Sequence, residues 1–176
     1  AADSTINKYP IVLHHGNNPG LVSHFVKAAI EYVATTQFKK DKQLKELIRQ
    51  GKFNEAACYL GVRQIHVNDV DLQEMKGDYQ ENLLYSTWCM ESFWYEMLSE
   101  ATVNIGTHEN IDYEEECNFV KYEKGYLEFR NIAADKRCCT YYPGGRFEAY
   151  PMPHEETVSL VKNLEVWEGD RVIYRP

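Results

Sequence analysis

His154, Glu155 and Glu156 are consecutive in the 176-residue chain and could transfer protons. A histidine and a carboxylate two positions apart can serve as an acid/base group and the residue that orients it. The same three residues are also typical of a helix start, where acidic side chains interact favourably with the helix dipole. The residues alone are compatible with both interpretations.

A second group of chemically capable residues surrounds Trp88. On a helix of about 100° per residue, Glu91 would lie about 60° to one side of Trp88 and Glu96 about 80° to the other. An indole between two carboxylates can hold an alkylammonium by cation–π contact and by charge. The alternative is a core tryptophan flanked by solvated acids.

Polar residues also follow two predicted strands. The segment from Gly16 to Gly20 could present the side chain of Asn18 and the amides of a helix start to a ligand, or could be a turn and no more. Asp69 and Asp71 follow the segment QIHVN, and could be turn residues, helix caps or a cation site at the carboxyl edge of a sheet.

Several classes of function are disfavoured. The chain has 19 Lys and Arg against 27 Asp and Glu, a net charge of −8 that argues against nucleic acid. It has no glycine-rich nucleotide loop, no paired CxxC and no HExxH, so we expect no metal site and no independent binding of a dinucleotide. No apolar run approaches a membrane span. Five cysteines without CxxC pairs indicate reduced thiols and a cytoplasmic location.

Apolar residues at helical spacing, separated by turns rich in Gly and Asn, dominate the first hundred residues. A buried strand is predicted over Tyr9–His15, followed by the glycine-rich turn and then by a helix over Leu21–Gln37. The sequence also predicts helices at Lys39–Gln50, Phe53–Leu60 and Trp88–Leu98, and strands at Gln64–Asn68 and Leu83–Thr87.

From Ala101 onwards, short β-prone runs are separated by Gly, Asn and Asp, which predicts antiparallel hairpins. These runs are TVNI, YLEF, RCCTYY, RFEAY, NLEVW and RVIY, with a turn at Glu168–Arg171, a helical turn near Glu155–Leu160 and an exposed acidic loop at Asp112–Glu116. The predicted fold is α+β, with a mixed, largely antiparallel sheet packed with helices in a single domain spanning residues 1–176.

Six segments of distinctive composition follow one another along the chain: His15–Phe25 (HGNNPGLVSHF), Ile65–Gln73 (IHVNDVDLQ), Ser86–Phe93 (STWCMESF), Gly106–Glu109 (GTHE), His154–Ser159 (HEETVS) and Val172–Pro176 (VIYRP). In this order they resemble segments of the homospermidine synthases. The first, similar to HGANPGLVSHF, is the most specific. Asp69 stands where the family has Glu, and residues 97–105 and 151–156 depart from its pattern.

The resemblance implies a saccharopine-dehydrogenase-like oxidoreductase, built from an NAD-binding Rossmann domain and an α+β domain for substrate binding and dimerisation. It places this chain in the second domain, with the Rossmann domain elsewhere in the same protein. The absent glycine loop and the start without Met fit this expectation of a piece of a longer protein. A homodimer is expected from the family.

The family reaction is an NAD-dependent aminobutyl transfer between two putrescines through imines. The hydride that NAD accepts from the first putrescine is returned to the final imine. By motif position, Trp88, Asp69 and Glu91 would bind the polyamine. Asn18, Pro19 and Gly20 would lie at the cofactor. Catalytic roles would fall to Asn18, Glu96, His154 and Glu156, whereas His108 is a looser correspondence. Windows 15–24, 65–73, 86–96 and 154–159 contain six acids and no Lys or Arg, the sign that a diammonium substrate requires.

Two other functions remain open on the sequence. The chain could belong to a saccharopine- or carboxy(nor)spermidine-type dehydrogenase that releases reduced nicotinamide. It could also be a relative that binds polyamine without catalysis, which the altered segments 97–105 and 151–156 would suit.

Overall fold

A computed structural model describes residues 16, 18–69, 72–83, 85–87, 89–110, 119–123, 125–142 and 144–176. The predicted strand Tyr9–His15 and the acidic loop Asp112–Glu116 lie outside these residues. No helix of the described part is long and apolar enough to cross a membrane.

Helices fill the first part of the chain. They are α1 (Leu21–Thr36), α2 (Lys42–Arg49), α3 (Phe53–Leu60) and α4 (Met90–Leu98), and a fifth, α5 (Glu155–Leu164), comes late. The predicted helices at Leu21 and Phe53 are therefore confirmed, and the helical turn near Glu155 is a helix of ten residues.

Two helix starts were predicted wrongly. The second helix begins at Lys42 because the side chain of Asp41 accepts a 2.9 Å hydrogen bond from the amide of Leu44 and caps it there. The fourth begins at Met90, since the cap residue Cys89 has an extended ψ of 113°. Trp88 lies outside the described residues, so its predicted position between Glu91 and Glu96 stays a prediction.

The core joins α1, α2, α3 and α5. Buried α1 residues recur every fourth position, which places them on one face of the helix. Alanines at full burial, such as Ala34 and Ala56, let the helices approach closely. The core cluster consists of Val26, Ile30, Ala34, Leu44, Ala56, Ala57 and Leu164.

The described strands form three small antiparallel sheets. β1 (Glu100–Asn104), β2 (Phe119–Glu123) and β3 (Tyr126–Ile132) pair in the order β1-β3-β2. β4 (Cys138–Tyr142) pairs with β5 (Gly145–Ala149), and β6 (Val166–Glu168) with β7 (Arg171–Tyr174) around the predicted turn. The α+β class is confirmed, but the expected single sheet is wrong within the described residues.

The strand predicted over Gln64–Asn68 is absent, and the described residues of Leu83–Thr87 contain none. Gln64–Asn68 instead contacts the β4–β5 hairpin through side chains, because Nδ1 of His66 lies 3.1 Å from Oγ1 of the buried Thr140. The strand prediction is therefore wrong, because no backbone ladder forms along Gln64–Asn68.

Candidate functional site

Asn18, Gly20, His154 and Glu156 lie together where the first turns of α1 and α5 meet. Gly20 is the cap residue of α1 and has φ 136°, a conformation that favours glycine. Its amide donates a 2.7 Å hydrogen bond to Oε1 of Glu156. The glycine turn and the HEE segment, 136 residues apart, therefore form one polar cluster.

The Asn18 side chain joins the two acid/base candidates. With its nitrogen towards the acceptor-only carboxylate, Nδ2 lies 2.7 Å from Oε2 of Glu156. The Asn18 oxygen then accepts a hydrogen bond from Nε2 of His154 at 3.2 Å. Glu156 thus fixes the amide, and the amide fixes the His154 tautomer that carries its proton on Nε2. Asn18 precedes a cis peptide bond to Pro19.

Burial and the helix dipole act on Glu156 together. The residue is only 5% exposed, so its charge is largely removed from water. It accepts two hydrogen bonds and lies at the N-terminus of α1, where a negative charge interacts favourably with the helix dipole. A negative charge is therefore held beside a histidine at a half-buried position.

The same segment could also contact a cation directly. Ligand atoms of His154, Glu155 and Glu156 all lie within 4.8 Å of one another. An imidazole with two carboxylates suits a metal ion as well as an ammonium group. The sequence predicted no metal here, and two of these side chains already bind Asn18.

Glu96 lines a cleft of about 270 Å³ between α4 and the β1–β3 sheet. Pro153 forms part of its wall and joins it to the segment that carries His154. Three carboxylates face this space, and its lining contains no Lys or Arg among the described residues. The lining consists of Tyr95, Glu96, Ser99, Glu100, Thr102, Glu128 and Pro153.

Two of these carboxylates were not predicted from the sequence as site residues. Glu100 is the first residue of β1, four positions after Glu96 on α4, and Glu128 pairs with Thr102 across the β1–β3 ladder. Strand alternation places Glu100 and Thr102 on one face, which was the available signal. The pairing of β1 with β3 brings Glu128 there, and the sequence does not reveal that pairing.

Other predicted site residues are not brought to the cluster or the cleft. Asp69 is exposed at the end of the irregular segment, and Glu91 is exposed on α4 and absent from the cleft lining. Pro19 is half-buried, and its carbonyl accepts a hydrogen bond from the amide of Gly16 at 2.9 Å. Trp88 and Asp71 lie outside the described residues.

The GTHE segment binds the C-terminal VIYRP segment. The amide of Thr107 donates to the carbonyl of Arg175 at 3.0 Å, and Oε2 of Glu109 accepts from the amide of Gly106 at 2.7 Å. A Cβ at Gly106 would lie 2.3 Å from the ring of His108, so a larger residue there would require that side chain to move. These contacts give the two motifs a structural role, and His108 is exposed.

Homospermidine synthases are among the known proteins that this chain is similar to. No family model matches it. Homospermidine synthase of Mesorhizobium japonicum is 30% identical over 92% of the chain, and that of Blastochloris viridis is 26% identical over 92%. The crystal structure of homospermidine synthase from Legionella pneumophila in complex with NAD matches with a TM-score of 0.75 and 27% identity, over 92% of this chain and 35% of that one.

The chain is similar to part of homospermidine synthase. It spans about a third of the length of the curated relatives it matches, 33% and 34%. The family resemblance in the six sequence segments is thereby confirmed, and the α+β fold agrees with the corresponding part of the Legionella structure.

Proposed function

We propose that this chain is the polyamine-binding part, and the dimerisation part, of an NAD-dependent homospermidine synthase that works in the cytoplasm on putrescine or a related polyamine. The meeting of Asn18, His154 and Glu156 carries the proposal, because these residues come from two motifs of that family. The acidic cleft beside Glu96 supports it, since its charge suits an alkylammonium. The proposal includes a single domain that extends over residues 1–176 and a Rossmann domain elsewhere in the same protein.

The chemistry assigned to the residues follows from their environments. Glu156 holds a buried negative charge that attracts an ammonium group and orients Asn18. His154 carries a proton on Nε2 and can exchange protons with an amine through Nδ1. Glu96 would bind the far ammonium of a diamine in the cleft. Trp88, Asp69 and Glu91 are assigned to substrate binding by the resemblance alone.

The cofactor assignment concerns the nicotinamide end of NAD. The helix-start amide of Gly20 already donates to Glu156, and a buried carboxylate there would repel a pyrophosphate. An uncharged carboxamide does not meet that repulsion, so Asn18, Pro19 and Gly20 would lie beside the nicotinamide and not at the phosphates. NAD would supply the hydride acceptor for oxidation of the amine.

The decisive experiment compares Glu96→Gln with Glu31→Gln in the complete protein loaded with NAD. Glu31→Gln is the matched control, because it removes the same charge from an exposed position on α1. Calorimetric titration with putrescine should show affinity at least about tenfold weaker in Glu96→Gln, while Glu31→Gln binds as wild type. Equal affinities in both variants would contradict the assignment of the cleft.

Turnover separates the proposed reaction from its alternatives. Wild-type protein given putrescine should form homospermidine without net reduced nicotinamide, and His154→Gln should bind the diamine but turn over at least about a hundredfold more slowly. Stoichiometric reduced nicotinamide would favour a dehydrogenase. Binding without product in the wild type would favour a non-catalytic relative.

A further inference from the structure

A second cleft, of about 410 Å³, opens on the β4–β5 hairpin. Cys139 pairs with Glu148 across the ladder, and Tyr141 pairs with Arg146. Because alternate residues share a face, Arg137, Cys139, Arg146 and Glu148 project to one side of the hairpin. The cleft therefore contains two cations and one carboxylate, a balance opposite to that of the Glu96 cleft.

Both guanidinium groups are available to an anion. Neither forms an ion pair with a carboxylate of the described residues, although Glu148 lines the same cleft. Nε of Arg146 donates to Sγ of Cys139, and this bond raises the pKa of the guanidinium. The Arg137 guanidinium lies over the Tyr150 ring, 4.1 Å from its centroid. Stacking orients the group and leaves its in-plane N–H donors exposed.

We propose that this cleft binds a small anion through its phosphate or carboxylate groups, with Arg137 and Arg146 as ligands. The planar donor forks of two arginines match the oxygens of such groups. In a chain of net charge −8, a cleft with two arginines that form no ion pair among the described residues is a local exception, and its ligand has the opposite charge to a polyamine. The site is therefore additional to the proposed amine site and does not depend on it.

Cys139 provides a built-in reporter, because its sulfur contacts Arg146 inside the cleft. We would alkylate the purified protein with iodoacetate, an anion, and with iodoacetamide, its neutral analogue, and measure rates at each cysteine by mass spectrometry. The ratio of the iodoacetate rate to the iodoacetamide rate should be about tenfold higher at Cys139 than at Cys89, because the two arginines attract the anionic reagent. Cys89 is the internal control, because it is exposed and hydrogen bonds from Ser92 lower the pKa of its thiol. Its charged neighbour is the carboxylate of Glu91, which does not attract an anionic reagent.

Ligand class and the roles of the arginines are tested with competitors and variants. Inorganic phosphate and citrate, added separately, should each slow iodoacetate at Cys139, and the stronger inhibitor identifies the preferred group. Arg137→Gln and Arg146→Gln should each abolish the preference, while Arg63→Gln, at another exposed arginine, should preserve it. Equal rate ratios at Cys139 and Cys89 would overturn the proposal.

A direct measurement covers the case in which Cys139 does not react. In Cys139→Ser, titration calorimetry with citrate and with phosphate should detect binding that Arg146→Gln removes. Absence of heat with both anions, or heat that is unchanged in both arginine variants, would overturn the proposal. All three arginines are exposed, so the substitutions should leave the thermal unfolding midpoint unchanged.

Discussion

The amide of Gly20 and the carboxylate of Glu156 form a 2.7 Å hydrogen bond that joins the starts of two helices. Gly20 provides no side-chain cap for α1, and Glu156 supplies the missing acceptor from the first turn of α5. The residue proposed to attract an amine therefore also caps a helix.

Two substitutions at Glu156 distinguish its role as a helix cap from its proposed role in attracting an amine. Glu156→Ala should destabilise the fold by about 1–3 kcal/mol, because it leaves the amide of Gly20 without a partner. Glu156→Gln keeps an acceptor, so it should unfold closer to wild type while binding putrescine more weakly. Urea unfolding and calorimetry measure the two effects. An alanine variant as stable as wild type would contradict the capping role.

Arg175 and Glu165, ten positions apart, form a largely buried ion pair. Nε of Arg175 donates to Oε1 of Glu165 at 2.9 Å, and the two side chains are 14% and 7% exposed. Arg175→Met should cost about 3–5 kcal/mol, because it leaves a buried carboxylate unpaired. Replacing both partners, in Arg175→Met with Glu165→Leu, should recover much of that loss in urea unfolding.

The exposed pair of Arg49 and Glu46 is the control for that experiment. Its side chains are 72% and 47% exposed, so water screens the interaction. We expect Arg49→Met to leave the urea midpoint within error of wild type. A loss as large as that of Arg175→Met would show that burial does not determine the difference.

Leu44 should be the most costly truncation in the helical core. It is fully buried on α2 within the cluster formed by four helices. Leu44→Ala should destabilise by about 2–5 kcal/mol through lost transfer energy and the cavity left behind. Leu72→Ala, at a side chain 86% exposed, is the matched control and should change the free energy of unfolding very little. Similar losses in both would contradict the assigned core.

Acid should weaken the start of α2. The hydrogen bond from the amide of Leu44, together with a weaker effect of the bond from the Tyr59 hydroxyl, lowers the pKa of Asp41. A carboxyl whose pKa is lower in the folded protein than in the unfolded protein stabilises the fold at pH values above its unfolded-state pKa. That stabilisation is lost as the pH falls through the folded-state pKa. Asp41→Asn keeps a cap that does not titrate. The Tm advantage of wild type over Asp41→Asn should therefore shrink between about pH 5 and pH 2. A constant difference across that range would contradict the prediction.

Local signals predicted the helices well, and the site only through family motifs. Gly61, with φ 69°, ends α3 where the sequence placed its end, because a glycine in that conformation terminates a helix. Glu128, by contrast, reaches the cleft through strand pairing, which depends on contacts distant in sequence. His66 shows the same limit, since its partner Thr140 is 74 positions away.

The bond between Gly20 and Glu156 also has a kinetic consequence. A contact that spans 136 positions closes a loop of most of the chain, and the entropy of that closure opposes its early formation. Helices α1 to α3 can form from neighbouring residues, whereas Asn18 and His154 come together only after the C-terminal segment has docked. Ligand affinity at this cluster should therefore appear late in refolding, after most of the helical signal has returned.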